Sequence, residues 1–386
     1  MTCPHCGGDA RCKGYRWRDA LSLLGAFRLR RHYYHCRRCG RGCCPRDGLL
    51  GLSAHDLTPA AEEVVCLAGL LASFAEAAEK TLPRLAGLRL AESTVERATE
   101  AAGTRLAQAL AEGQTFGPAQ DWCWHKDAEG QAVAYVLSDS TGVGMQGPDG
   151  AAAEGRMANV AVIANPVPED RQRWADPARR EPPPWQARYL AGLRPWSELG
   201  AALRRQGGQV GMNRAQRWLA LSDGANGLED FLKAHFPRVE AVILDFWHAA
   251  EYLAKLAKAL HGPDEAGALA WQQQWCHRLK HEGGTAVLQA LRGLDLRGRP
   301  VAAREGWEKV VTYFTNQEHR MDYPTYRAKG WYIGSGVVES ACKRVVNQRL
   351  KGSGMRWGED GADALCHLRA LFLSDPGQWD AFWHPN

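Results

Sequence analysis

RWLALSDGANGLEDFLKAHFPRVEAVILDFWH, residues 217–248, reads as strand, turn, helix and strand, and both hydrophobic runs end in an acid, Asp223 and Asp245. Short β-forming runs bounded by turn residues and alternating with helices predict an α/β fold. Working outward, AVAYVLSDSTGVGM (132–145) reads as a strand ending at Asp139 and followed by turn residues, and RMANVAVIANP (156–166) as another strand. PEDRQRWADPARREPPPWQ (168–186) is rich in Pro and charge and reads as a loop or insertion. PWSELGAALRRQ (195–206) and AAEYLAKLAKALHG (249–262) read as helices. The sum is a sheet with mixed strand pairing and helices against it.

At 386 residues the chain exceeds one ordinary core and predicts two or three domains. The net charge of +5 is modest, but between residues 11 and 46 Arg and Lys abound and Asp19 is the single acid. That segment fits a polyanion such as DNA, with a plain solvated surface as the competing reading. The sequence shows neither an apolar run of about 18 residues nor a charged-then-apolar N-terminus, which predicts a cytosolic protein with no membrane partner. In such a chain the 12 cysteines point to metal ligands plus reduced thiols rather than disulfides. Cys66, Cys123, Cys276, Cys342 and Cys366 have no Cys partner at ligand spacing and are expected to be small buried apolar residues.

Cys3 and Cys6 in CPHCGG and Cys36 and Cys39 in CRRCGRG form two CxxC knuckles, each followed by Gly. Two such knuckles supply the four soft ligands of a closed, structural zinc site, and the Gly permits the tight turn behind them. With the alternating AFRLRRHYYH (26–35) they predict a zinc ribbon over 1–50, with His5, Cys12, His35, Cys43 and Cys44 as nearby competitors. Residues 51–116 read as helical, with Thr58 and Ser93 as capping candidates. Helix, turn and capped second helix match a helix-turn-helix-like DNA-binding region, an outline that any helical hairpin shares. Gly, Pro and aromatics around EGQTFGPAQDW (112–122) mark a boundary. Residues 117–262 then form the first part of the α/β core, 263–325 an all-helical stretch, and 326–386 the C-terminal helices of the core.

Metal-assisted phosphodiester chemistry needs converging carboxylates, since hard oxygen ligands suit Mg²⁺ or Mn²⁺. An RNase H-like mixed sheet supplies an Asp on its first strand, an Asp after its fourth and an acid on a late helix. Asp139, Asp223 and Glu339 occur in that order. In such a sheet the fourth strand adjoins the first, about 4.8 Å away, and the fifth lies beyond. Asp223 is therefore expected as the metal ligand and Asp245 at the margin, with His248 near a phosphate, orienting Asp245, or merely packing the helix start. After Glu339, Lys343, Arg344, Asn347 and Lys351 are candidate phosphate contacts on a basic helix, or a solvated face. Trp331 and Trp357 are either base-stacking or core residues.

RLRRHYYHCRRCGRG (28–42), FAEAAEKTLPRLAGLRLAESTVERATEAAG (74–103), DSTGV (139–143), the 222–253 stretch and IGSGVVESACKRVVNQRLKGSGMRW (333–357) together resemble bacterial insertion-sequence transposases of the DDE type. The likeness is to the ISKra-type family, related to Mutator-like elements, and covers nearly the whole chain. It implies that Asp139, Asp223 and Glu339 are a catalytic, metal-binding triad, and that Asp245 and His248 match an auxiliary D-x-x-H signature. It also implies that the helical stretch is an insertion between the fifth strand and the Glu-bearing helix. Two departures stand out: Ser140 replaces a turn Gly and is expected to tighten that loop, and the N-terminal extension of longer relatives is expected to be absent.

The function so implied is metal-dependent cleavage and strand transfer of double-stranded DNA, transposon ends and target, by a nucleoid-associated homodimer or higher oligomer. A catalytically silent DNA-binding regulator or domesticated relative is the alternative. A nuclease of the same fold, such as a junction resolvase, is a third, and would need neither ribbon nor insertion.

Overall fold

The computed structural model describes residues 1–165, 186–225, 227–334, 336–374 and 377–384, so the expected loop at 168–186 lies outside the described residues except Gln186. At the N-terminus β1 (Ala10–Ser22) and β2 (Gly25–Cys36) form a long antiparallel hairpin, with β3 (Gly42–Cys43) beside β2. The hairpin has its own small core of Cys3, Ala10 and Cys36. A short helix, α1 (Pro45–Leu49), supplies Asp47, which pairs with Arg18 and Arg31.

Helix α2 (Pro59–Leu71) starts on a proline whose fixed φ suits a first turn. Thr58 takes the capping position without a side-chain hydrogen bond. The Ser73 hydroxyl does accept from Glu76 N–H, starting α3 (Phe74–Glu76), which runs through a wide π turn (Ala77–Thr81) into α4 (Leu82–Leu85). In α5 (Glu92–Ala111) the capping position belongs to Ala91, so Ser93 lies within the first turn and does not cap.

The main sheet contains β4 (His125–Lys126), β5 (Ala132–Gln146), β6 (Ala152–Asn165), β7 (Gln186–Gly192), β8 (Arg217–Ser222) and β9 (Val239–Leu244). Its order is β7-β6-β5-β8-β9, with β4 paired to β5. β5–β6 and β6–β7 are antiparallel, whereas β5–β8 and β8–β9 are parallel, with α6 (Trp196–Gln209) and α7 (Leu228–His235) as connections. One expectation is corrected here: Asp139 does not end its strand. β6 stays paired beyond it, through Ser140 with Asn159, Thr141 with Ala158 and Gly142 with Met157. Ser140 therefore tightens no turn; its hydroxyl donates to Asn159 Oδ1 at 2.7 Å.

After β9 come α8 (Phe246–His261), α9 (Glu265–Arg292), α10 (Val301–Gln317) and α11 (Tyr323–Ala328), packed on one another. α9 breaks at Gly283, whose φ of 85° lets the Gly284 N–H turn to the Met321 carbonyl at 2.9 Å. The last helices are α12 (Gly336–Ala341), a π segment (Cys342–Asn347), α13 (Gln348–Leu350), α14 (Glu359–Leu373) and α15 (Gln378–Trp383). Among the described residues no helix is long and apolar enough to cross a membrane.

α5 buries Val95, Ala98, Ala102, Gly103, Leu106 and Leu110 at helical spacing, packing against α2 and α14. At Gly103 a Cβ would overlap the Ala364 carbonyl, so the close crossing of α5 and α14 needs glycine. One buried core therefore runs from Leu57 to Trp383, and the N-terminal helices share it with the sheet. Two buried guanidiniums lock the joint. Arg349, between the rings of Phe74 (4.6 Å) and Trp357 (4.9 Å), donates to the Gly69 carbonyl at 2.8 Å. Arg369 donates to Leu70 O at 2.6 Å and to Val345 O at 2.8 Å. Burial lowers both to about 10, so they remain charged at neutral pH and serve carbonyls that helix ends leave open.

Candidate active site and metal centre

The sulfur atoms of Cys3, Cys6, Cys36 and Cys39 all lie within 4.8 Å of one another. Both knuckles are built alike. Gly7 N–H donates to Cys3 O at 3.0 Å and Gly40 N–H to Cys36 O at 3.0 Å, each Gly at φ 70°. A side chain would strain that left-handed conformation, which is why Gly follows each pair. Four thiols at this spacing fit a zinc ribbon with a closed structural site. His5, Cys12, His35, Cys43 and Cys44 stand outside the group; Cys12 instead meets His32 Nδ1 at 3.6 Å.

The second site lies where the parallel strands end. Ser138 of β5 is opposite Ser222 of β8, and Ser222 is opposite Leu244 of β9. Asp139, Asp223 and Asp245 each follow one of these residues, so three aspartates stand in a row across three strands. Asp139 Oδ1 accepts from Ser140 N–H at 2.7 Å, and its Oδ2 accepts from the Cys342 thiol at 3.4 Å. Burial raises the Asp139 pKa, opposed by the Ser140 hydrogen bond; the like charge of Asp223 raises it further, while Cys342 and His248 lower it. Asp223 Oδ1 accepts from Ala225 N–H at 3.0 Å, folding the turn back. Asp245 is buried and caps α8, accepting from Trp247 N–H at 3.0 Å, with His248 Nε2 3.7 Å from its Oδ2.

Glu339 lies exposed on α12, three residues before Cys342 and hence on the same helix face. Among the described residues only the four-cysteine group meets metal-ligand spacing; Asp139, Asp223 and Glu339 are not drawn that close. The helix beyond Glu339 widens into the π segment, a form frequent at functional sites. Lys351 Nζ donates to Thr141 Oγ1 at 2.6 Å, and Thr141 donates to Asn347 Oδ1 at 3.2 Å, so both residues face β5 two positions past Asp139. Lys343 and Arg344 are exposed. Trp331 and Trp357 do not offer stacking surfaces: they are 5% and 7% exposed, and their indole N–H groups donate to Asp127 and to Leu350 O. Trp331 packs on Tyr326 and Trp357 on Phe74, so apolar burial decided their place.

Sequence reasoning missed Arg320. It is 2% exposed and donates to the Ser222 hydroxyl at 2.7 Å and to the Ser222 and Asp223 carbonyls at 3.3 Å. Nothing in NQEHRMDYP marks this arginine, because the Ser222 and Asp223 groups it holds lie about a hundred residues earlier in the chain. Cys342 had a faint signal, its i+3 spacing from Glu339.

No protein-family model matches this chain, and neither does any curated protein. The chemistry rests on the geometry alone: two partly buried aspartates side by side, a histidine near them, and a late helix that brings a thiol, an amide and a lysine to the same strand.

Proposed function

We propose that this chain is a DDE-type DNA transposase with an RNase H-like catalytic core, in which Asp139, Asp223 and Glu339 hold two divalent ions. The observation that carries this reading is the register: Asp139 and Asp223 follow directly opposed serines on adjacent parallel strands, and the Glu339 helix meets Asp139 through Cys342. The strand order and its antiparallel-then-parallel pairing support the fold assignment. Hard carboxylate oxygens and the like charges of Asp139 and Asp223 side by side fit Mg²⁺ or Mn²⁺. When bound, such ions supply the Lewis acidity that activates an attacking hydroxyl and stabilises the leaving oxygen.

The chain's own residues orient the rest. Arg320 holds the two carbonyls that aim the Asp223 turn, and Asp245 fixes the start of α8 and with it His248, whose Nε2 is 3.7 Å from the Asp245 carboxylate at the margin of the site. Asn347 and Lys351 hold the DNA backbone beside Asp139, contributing affinity rather than sequence choice. The zinc ribbon and helical region bind element ends, and pairing two ends requires at least a dimer.

A second reading, a DNA-binding regulator that no longer cuts, is favoured by one observation: Glu339 is exposed and not at ligand spacing with the two aspartates. Labelled duplex carrying the inverted repeats that flank the gene, incubated with the protein and Mg²⁺ or Mn²⁺, separates the two. Strand cleavage and joining, lost in Asp139→Asn, supports the transposase. Tight binding with no cleavage by wild type sinks it and leaves the regulator.

A further inference from the structure

The β1–β2 hairpin has two unlike faces. On one, Arg18 and Arg31 are taken up by Asp47, and Arg18 also by Asp56 at 2.5 Å, while Arg16, opposite Arg31, lies over the Tyr33 ring at 3.6 Å. On the other, the register sets Tyr15 opposite His32, Trp17 opposite Arg30 and Asp19 opposite Arg28. Directly opposed residues share a face, so these six form one ladder. All six are exposed, and Tyr15 and Trp17 each show 55% of their surface to solvent. The Arg30 guanidinium lies over the Tyr15 ring at 4.3 Å and Arg28 over Trp17 at 5.4 Å, while the His32 ring sits 4.3 Å from Tyr15.

Aromatic rings beneath guanidiniums hold those cations extended and oriented before any partner arrives, which lowers the ordering cost of binding. Asp19 answers only Arg28, at 3.3 Å, so the ladder keeps a net positive charge. The helix expected to read DNA has a mixed rather than a basic surface: on α5 Glu92 and Arg97 are exposed, Arg105 pairs with Glu62, and Glu100 lies against Gly361 of α14. A two-stranded ribbon with strands about 4.8 Å apart fits a major groove about 12 Å wide.

We infer that this outer hairpin face is the main duplex-DNA docking surface, with Arg28 and Arg30 directed at phosphates and Tyr15 and Trp17 against sugars and base edges. The inference rests on the DNA-handling part of the proposed function but not on catalysis. It is tested with the full-length, zinc-loaded protein and a labelled random-sequence duplex, by fluorescence anisotropy over a range of salt and without Mg²⁺ or Mn²⁺. Because counterion release scales with phosphates neutralised, Arg28→Glu with Arg30→Glu should weaken binding by at least about 10-fold and flatten the log K against log salt slope by about 2. Trp17→Ala should weaken binding with little change of slope. Arg297→Glu, in an exposed pair with Asp295, should stay within about twofold. Zinc content and thermal melting matched to wild type confirm that each variant is folded. If the Arg28/Arg30 variant keeps its zinc, its affinity and its slope, the surface is wrongly assigned. Tighter binding of single strands than of duplex would overturn the choice of partner. Absence of cleavage by wild type in the separate Mg²⁺ or Mn²⁺ assay on element-end duplex, with binding through this face retained, would sink the transposase and leave the docking surface intact.

Discussion

Asp139 and Asp223 occupy the same step of two adjacent parallel strands, each one residue past a serine pair, Ser138 opposite Ser222. Burial together with the Asp223 charge raises the Asp139 pKa above the usual carboxylate value. The folded state therefore binds the Asp139 proton more tightly than the unfolded chain does. Stability from this group is complete below the ordinary carboxyl pKa and is lost as pH rises through the raised one. In metal-free protein, Asp139→Asn should raise the melting temperature at pH 7 and change it little at pH 3.5. An equal gain at both pH values would show that the effect is not electrostatic.

Asp223→Asn should abolish metal-dependent cleavage, whereas Asp245→Asn should weaken it less, because asparagine still caps α8 by accepting from Trp247 N–H. Cleavage rates of the two variants, with DNA binding measured alongside, check this. The reverse ranking would mean that Asp245 is the ligand and Asp223 the supporting residue.

Arg320→Met should be the most damaging single change outside the carboxylates. It leaves the Ser222 carbonyl with only the Asp245 N–H and the Asp223 carbonyl with only the Ser222 hydroxyl, and puts an apolar side chain beside Glu229; removing one partner from a buried ionic network typically costs about 3–5 kcal/mol. Urea unfolding measures the loss. A cost below about 1 kcal/mol would show that water replaces the guanidinium and that the Asp223 turn holds itself.

One zinc per chain is expected, lost in Cys3→Ser or Cys36→Ser. Since the Cys3, Ala10 and Cys36 cluster is separate from the main core, chelation should release amide protection across Ala10–Cys36 and leave the main thermal transition in place. Collapse of both together would show that the ribbon and the rest fold as one unit.

Much of the scaffold was readable because its signals are local. CxxC-Gly spacing announced the cysteine cluster, and the runs Arg217–Ser222 and Val239–Leu244 announced two strands and the helix between them. The end of β5 was misread because STGVG looks like a turn, yet β6 on its antiparallel side keeps it extended to Gln146. Trp331 and Trp357 were ambiguous because an aromatic's exposure depends on neighbours distant in sequence. The mixed charge of the outer side of α5 was legible only once the structure showed which stripe α14 covers.

By itself the sequence determined the elements and their order, since hydrophobic period, turn residues and metal-ligand spacing act over a few residues. It also placed Asp223 and Asp245 just past the ends of their strands. Only the tertiary structure decided that β8 lies between β5 and β9 in a register that aligns Asp139, Asp223 and Asp245, because register is a matter of long-range strand pairing. The same holds for Arg320 and Cys342, which bond groups about a hundred or more residues away, and for the hairpin face left uncovered while Asp47 and Asp56 pair with Arg18 and Arg31 on the other.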